Sequence, residues 1–224
     1  MAGMSRDEIL ARYRHLRALS VRHHNGALEF LSKSALMEHA RHLGLAVGKT
    51  LAAESMDELT LAFDLAMYTA RPGHSRAIDR YAARAAQLQP GSSELVVLEA
   101  MRQARFSVWR VERRHEVVGL IVQDLLRQGE AWLVDEALEQ SAPEGTTLAM
   151  RLGTPDVFAM TSGIIVPVDR EAMAEVLDEV LPRVRGTPDQ VANDRRVATA
   201  IYRVAVAQGL MERIGFEETQ PSDG

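Results

Sequence analysis

The hydrophobic period changes twice along this chain, and that change constrains the fold more than any single motif. Up to about residue 105, apolar residues recur every three or four positions in Ala-rich segments, the spacing of one helix face. Between residues 106 and 168 they alternate or run in short blocks, at 106–111, 117–122, 131–134, 147–152 and 157–160. Gaps rich in Gly, Pro and charge separate these blocks. Such spacing predicts a compact β module of about five strands. The helical period then returns. The expected class is α+β: a helical bundle over 1–104, then a small antiparallel β barrel or curled sheet over 105–168. Two C-terminal helices over 169–215 pack on the rest, and a disordered tail covers 216–224.

Local signals place the helices. Ser5 with Glu8, Ser55 with Glu58 and Thr187 with Gln190 have the spacing of capping boxes, in which hydroxyl and carboxylate or amide satisfy orphan amides reciprocally. Ser34, Ser75, Ser93 and Asp169 read as further helix starts, and Gly44 and Gly209 as stops. The segment from His23 to Gly26 reads as an interruption of the first helix. From Thr187 one last helix is expected, with Val191, Ala198, Ile201, Tyr202 and Ala205 on its apolar side.

Composition narrows the chemistry. The 224 residues contain no cysteine, which excludes disulfides, thiolate zinc sites and a Cys nucleophile, and fits a reducing cytoplasm. No run approaches the roughly 18 apolar residues that span a bilayer, and the N-terminus has no apolar signal core. A soluble cytoplasmic protein with no membrane contact is the expectation. The net charge of −5 is uneven: residues 1–50 carry +4, while 105–168 carry −3 and 169–224 carry −4. Only Lys33 and Lys49 are lysines, so nearly every cation is Arg.

Candidate sites follow from residue type and spacing. Gly44, Gly48, Lys49 and Thr50 resemble a phosphate-binding loop, but the glycines stand one residue too close and a helix, not a strand, precedes them. No cofactor is expected there. Histidines cluster early, at 15, 23, 24, 39 and 42, with His74 further on. His39 and His42 stand three apart on a helix and are the candidate metal ligands, although no HExxH spacing accompanies them and Glu38 points off their face. Solvated or capping histidines are the simpler reading. Thr161-Ser-Gly163 lacks the G-x-S-x-G turn of a serine hydrolase. Asp135, Glu136, Glu139 and Glu144 form an acidic group, expected to sit ionised on a solvated loop. Phe106, Trp109, Arg110, Arg113 and Arg114 offer aromatics and cations for nucleic acid, yet in a strand Phe106 and Trp109 face opposite ways. Trp109 is therefore expected in the core, and the module's negative balance opposes phosphate affinity.

The segments Phe106-Ser-Val-Trp-Arg-Val-Glu112, Asp124-Leu-Leu126, Gly129-Glu130, Ala149-Met-Arg-Leu152 and Met160-Thr-Ser-Gly163 resemble a small β module of uncharacterised bacterial proteins. Some of those carry an added Cys-rich SEC-C zinc motif, and this chain lacks the cysteines that motif requires. The resemblance supports the β module and implies no function. With no convergent catalytic set in the sequence, a non-catalytic binding or scaffolding protein is the first expectation, partnered by another protein or by itself as a homodimer. An enzyme with a site between bundle and β module, using His39, His42 or Asp64, is the second. Nucleic-acid binding is the third.

Overall fold

The fold is that of a computed structural model, in which residues 4–53, 55–71, 73–85, 87–180, 184 and 186–210 are described. The expected tail over 216–224 lies outside them. Nine helices and seven strands are found among the described residues. They are α1 (Arg6–Leu28), α2 (Lys33–His42), β1 (Ala46–Val47), β2 (Thr50–Leu51), α3 (Met56–Tyr68), α4 (Ala77–Arg84) and α5 (Ser93–Arg102). There follow β3 (Arg105–Arg114), β4 (Leu120–Asp124), β5 (Gly129–Leu133), α6 (Glu136–Ser141), β6 (Thr147–Gly153) and β7 (Met160–Pro167). The chain continues through α7 (Arg170–Val180), α8 (Pro188–Asn193) and α9 (Arg195–Ala207).

All three capping boxes form as the spacing predicts, at Ser5, Ser55 and Thr187. Asp169 accepts from the Ala172 amide, as a start of α7 requires. Elsewhere the caps shift by a residue or two: Ser32 rather than Ser34 caps α2, Ser92 rather than Ser93 caps α5, and Arg76 rather than Ser75 precedes α4. Two expectations fail for tertiary reasons. First, α1 runs unbroken through Gly26. A Cβ at Gly26 would stand 2.7 Å from Cε2 of Tyr81, so the glycine serves the close approach of α4 and does not break the helix. Second, the expected last helix is two. Asp194 leaves the helical conformation at φ −69°, ψ 123°, and caps α9 by accepting from the Arg196 amide. Three helices, not two, therefore follow the sheet.

The five long strands form one antiparallel sheet in the order β5-β4-β3-β6-β7. The fifth strand covers Met160–Pro167 and not the expected 157–160. The pleat sorts the side chains. Trp109, Val111, Val122, Leu148, Met150 and Leu152 pack on the inner face, with Leu138 and Ala142 of α6 closing one end. Phe106, Val108, Ala149 and Val166 point outward into a core shared with α2, α3, α7 and α9. A third cluster joins α1, α4 and α5 to Val118, Val134, Phe158 and Met160.

The sheet curls but does not close, so of the two expected forms the barrel is set aside. Its edges meet at a single bridge, Leu133 with Ala159, where the Val134 amide donates to the Ala159 carbonyl at 3.0 Å. Two register shifts bend the sheet, one between Val111 and Arg113 and one between Met150 and Leu152. A bulge adds twist and turns a strand out of the common surface. At the second, Ser162, Gly163 and Ile164 stand opposite Arg151 alone, and Gly163 takes φ 105°. That shift marks the site described next.

The uneven charge has a structural use. Four arginines of α1 reach acidic partners elsewhere in the chain: Arg6 to Glu139, Arg12 to Asp156, Arg14 to Glu136 and Arg22 to Glu94. The basic N-terminal region thus ties itself to the acidic β module and to α5. Of the acidic group expected on a solvated loop, Glu144 is exposed in a turn, but the other three are placed otherwise. Asp135 is buried, caps α6 at the Leu138 amide and accepts from the Thr161 hydroxyl at 3.1 Å. Glu136 and Glu139 lie on α6, and their arginine partners hold both carboxyls below the usual carboxylate range.

Candidate functional site: an arginine-lined cleft

One arginine, Arg151, is 6 % exposed in the middle of β6. Burying a guanidinium requires a paired and hydrogen-bonded partner. Asp64 of α3 supplies it: Nε and Nη2 of Arg151 donate to the two carboxylate oxygens at 3.2 and 3.0 Å. Tyr202 of α9 donates to the same carboxylate at 3.1 Å. Arg151 also lies over the Tyr68 ring, 4.4 Å from its centroid, with Phe106 5.7 Å away. Burial pushes the guanidinium pKa down, but the charge and hydrogen bonds of Asp64 outweigh it and the net shift is upward. Burial likewise pushes the Tyr202 hydroxyl well up, so it stays a donor. Three elements distant in sequence, α3, β6 and α9, are thereby locked at one point.

Tyr68 is itself fixed from behind. Nδ1 of His24 lies 3.0 Å from the Ser20 carbonyl and must donate to it. Nε2 is then the acceptor, and the Tyr68 hydroxyl donates to it at 2.9 Å. Burial depresses the His24 pKa and keeps the ring neutral, as this pattern requires. His23 repeats it with the Glu94 carbonyl and Tyr81.

In front of Arg151 opens a cleft of about 840 Å³. Its walls come from the end of α3, the start of α4, strands β3 and β6, and the junction of α8 with α9. Besides Tyr68, Phe106 and Arg151, it is lined by Arg76, Asn193, Arg195 and Arg196. Arg76 grips Asp79 with two bonds of 2.6 and 2.8 Å and donates to the Arg102 carbonyl. Arg196 grips Asp194 at 2.9 and 2.6 Å. Asn193 accepts from Arg127 at 2.8 Å, which ties α8 to the turn after β4. Arg195 is exposed and has no ion pair with any described residue. A second chamber of about 380 Å³ shares Thr69, Ala70, His74 and Arg195 with the first and extends to Glu38 and His39.

This geometry offers mainly donors against flat apolar walls. Guanidinium groups present fixed forks that match carboxylate and phosphate oxygens. Phe106, Tyr68, Ala104 and Ala198 supply the apolar surface. Such a set of donors can meet the oxygens of an anion.

Most residues singled out from the sequence lie elsewhere. His39 and His42 sit with ring centroids 6.4 Å apart beside a cavity of about 200 Å³. No third His, Cys, Asp or Glu joins them among the described residues. His39 is buried, its pKa lowered by that burial, and its Nδ1 has no hydrogen-bond partner among the described residues. Glu38 turns to Arg71 at 2.5 Å. Of the loop-like glycines, Gly44 ends α2 at φ 81°, as expected of a helix stop, and Gly48 takes φ 61° in the β1–β2 hairpin, where its carbonyl accepts from Arg41. Ser162 lies within β7, its Oγ buried with no hydrogen-bond partner among the described residues. Trp109 is in the core and donates to the Met150 carbonyl at 3.2 Å. Asp64 is at the centre of the site, but as the anchor of Arg151. Sequence reasoning missed Arg151, Arg195, Tyr68 and Tyr202. One signal was available, since Arg151 is the only charge within the apolar block 147–152.

The molecule is an α+β protein whose curled sheet and flanking helices enclose an arginine-lined cleft. It belongs to a family of unknown function (DUF7986), whose model matches residues 7–213. No curated protein and no solved structure matches the chain. No helix among the described residues is long and apolar enough to cross a membrane.

Proposed function

We propose that the protein is a non-catalytic binding protein for a small organic anion, seated in the cleft before Arg151. The observation that carries this reading is Arg195. It is a full positive charge on the cleft wall with no ion pair among the described residues, in a cleft also lined by an Arg151 already oriented by Asp64 and Tyr68. Pre-orientation lowers the entropic cost of closing a cation onto a ligand. Nucleic-acid binding is disfavoured by the same charge layout, because the α1 arginines are engaged with Glu94, Glu136, Glu139 and Asp156. A cysteine-free chain fits the cytoplasm, and that location belongs to the same reading.

The test is a thermal-shift and calorimetric screen of organic acids and phosphorylated metabolites at low and high salt. Binding should weaken with salt and fall by about tenfold or more in Arg195→Ala, the loss expected for one charge-assisted contact. If no anion binds, or if Arg195→Ala binds as the parent does, the proposal fails. Turnover of any bound acid would favour the enzyme reading instead. Self-association is a second reading, favoured by Val47 and Met56, which are 75 % and 70 % exposed around the β1–β2 hairpin. Native mass spectrometry across a concentration series checks it, and a monomer throughout removes the homodimer.

A further inference from the structure

Resting on the cleft reading, we infer that the two chambers meeting at Arg195 form one bipartite site for an organic dianion, with His39 as a donor in the second chamber. Four observations support it. The chambers share Thr69, Ala70, His74 and Arg195, so a ligand seated at Arg195 borders both. Their combined volume is ample for a chain with an acid group at each end.

Charge is the second observation. Among the described residues, six guanidinium groups line the two chambers. Against them stand the carboxylates of Glu38, Asp79 and Asp194 in the walls and Asp64 behind Arg151. The surplus is two positive charges, which a dianion neutralises and a monoanion does not.

The third is His39. It is 8 % exposed, lines the second chamber, and its Nδ1 is sealed from solvent with no partner among the described residues. A buried polar atom without a partner costs stability and calls for an explanation. A bare lone pair is better tolerated than an orphaned N–H. The neutral ring therefore keeps its proton on Nε2, the nitrogen that can meet a ligand. Arg195 is the nearby cation, and its charge is felt at His39. An anionic oxygen between Nε2–H and the Arg195 fork would satisfy both.

The fourth is the first chamber's own donor. Asp64 occupies Nε and Nη2 of Arg151. That leaves Nη1 for the second acid group, beside the apolar faces of Tyr68 and Phe106 where the connecting chain would rest.

The experiment titrates the full-length protein with α,ω-dicarboxylates from succinate to suberate, each against the monocarboxylate of equal carbon number. At least one dicarboxylate should bind about tenfold or more tightly than its partner, the gain expected from one further charged contact. His39→Leu should remove that gain, so that each dicarboxylate and its monocarboxylate bind with equal affinity. In the unmodified protein, the ring nitrogens of His39 should shift further in NMR spectra with the dicarboxylate than with the monocarboxylate. Equal affinities across every pair, or a dicarboxylate gain undiminished in His39→Leu with a still His39 signal, overturn the bipartite site and leave the single-anion cleft standing. Binding of neither class overturns both.

Discussion

At Asp64, a single carboxylate decides whether three elements can meet. It neutralises a guanidinium that is otherwise sealed between β6 and the helices. Removing one member of such a pair leaves an uncompensated buried charge, at a cost of about 3–5 kcal/mol. Asp64→Ala should therefore lose about that much stability in urea titration. The double change Asp64→Leu with Arg151→Met should recover most of it, because apolar replacement of both partners avoids the desolvation cost. A double variant no more stable than Asp64→Ala would show that Arg151 is not held as described. His39 makes the opposite case. Its Nδ1 satisfies nothing in the fold, so His39→Leu should raise stability by about 1 kcal/mol. A clear loss of stability would mean that the imidazole has a structural role.

The helices and strands set their own requirements. α1 survives Gly26 because Tyr81 fills the space a side chain would need. Gly26→Ala should lower the thermal midpoint, even though alanine is the better helix former by about 1 kcal/mol. Gly119 is under a harder constraint. It takes φ 82° after β3, and a Cβ there would stand 2.2 Å from the Leu133 carbonyl oxygen. That oxygen is backbone and cannot swing away. Gly119→Ala should be the more damaging of the two, and denaturant midpoints of both variants give the ranking directly. The interior of the sheet shows the same logic in reverse. The inner face was readable as alternation, but the bulge of Ser162, Gly163 and Ile164 opposite Arg151 was not. A bulge is a mismatch between two strands, and neither strand announces it alone.

For the whole molecule, burial of histidine sets a pH dependence. His23, His24 and His39 are all held below the ordinary histidine value, and burial is the first cause in each. The unfolded chain then binds more protons than the folded one below about pH 6.5. Their contribution is complete above that value and is lost as pH falls from about 6.5 through their folded pKa values. The thermal midpoint should drop between pH 7 and 5.5, before the carboxylates of Glu136 and Glu139 begin to protonate. A midpoint that is flat over this window would show that the histidines titrate alike in both states. The charge asymmetry belongs to this scale too. What reads along the chain as a basic end and an acidic body is, in space, α1 clasped to α6 and α5.

The sequence by itself determined the order of helical region, five-stranded sheet and helical region and the three capping boxes, because period, capping and alternation are properties of neighbours along the chain; it did not reveal α6 or the β1–β2 hairpin. It also determined that Trp109 would be core. Only the tertiary structure decided that the sheet stays open, that α1 continues through Gly26, and that the last helix divides at Asp194. It alone assembled the cleft, since Asp64, Arg151 and Tyr202 are separated by 87 and 51 positions. A buried arginine needs a partner, and where that partner lies is settled by packing across the core, which no local pattern records.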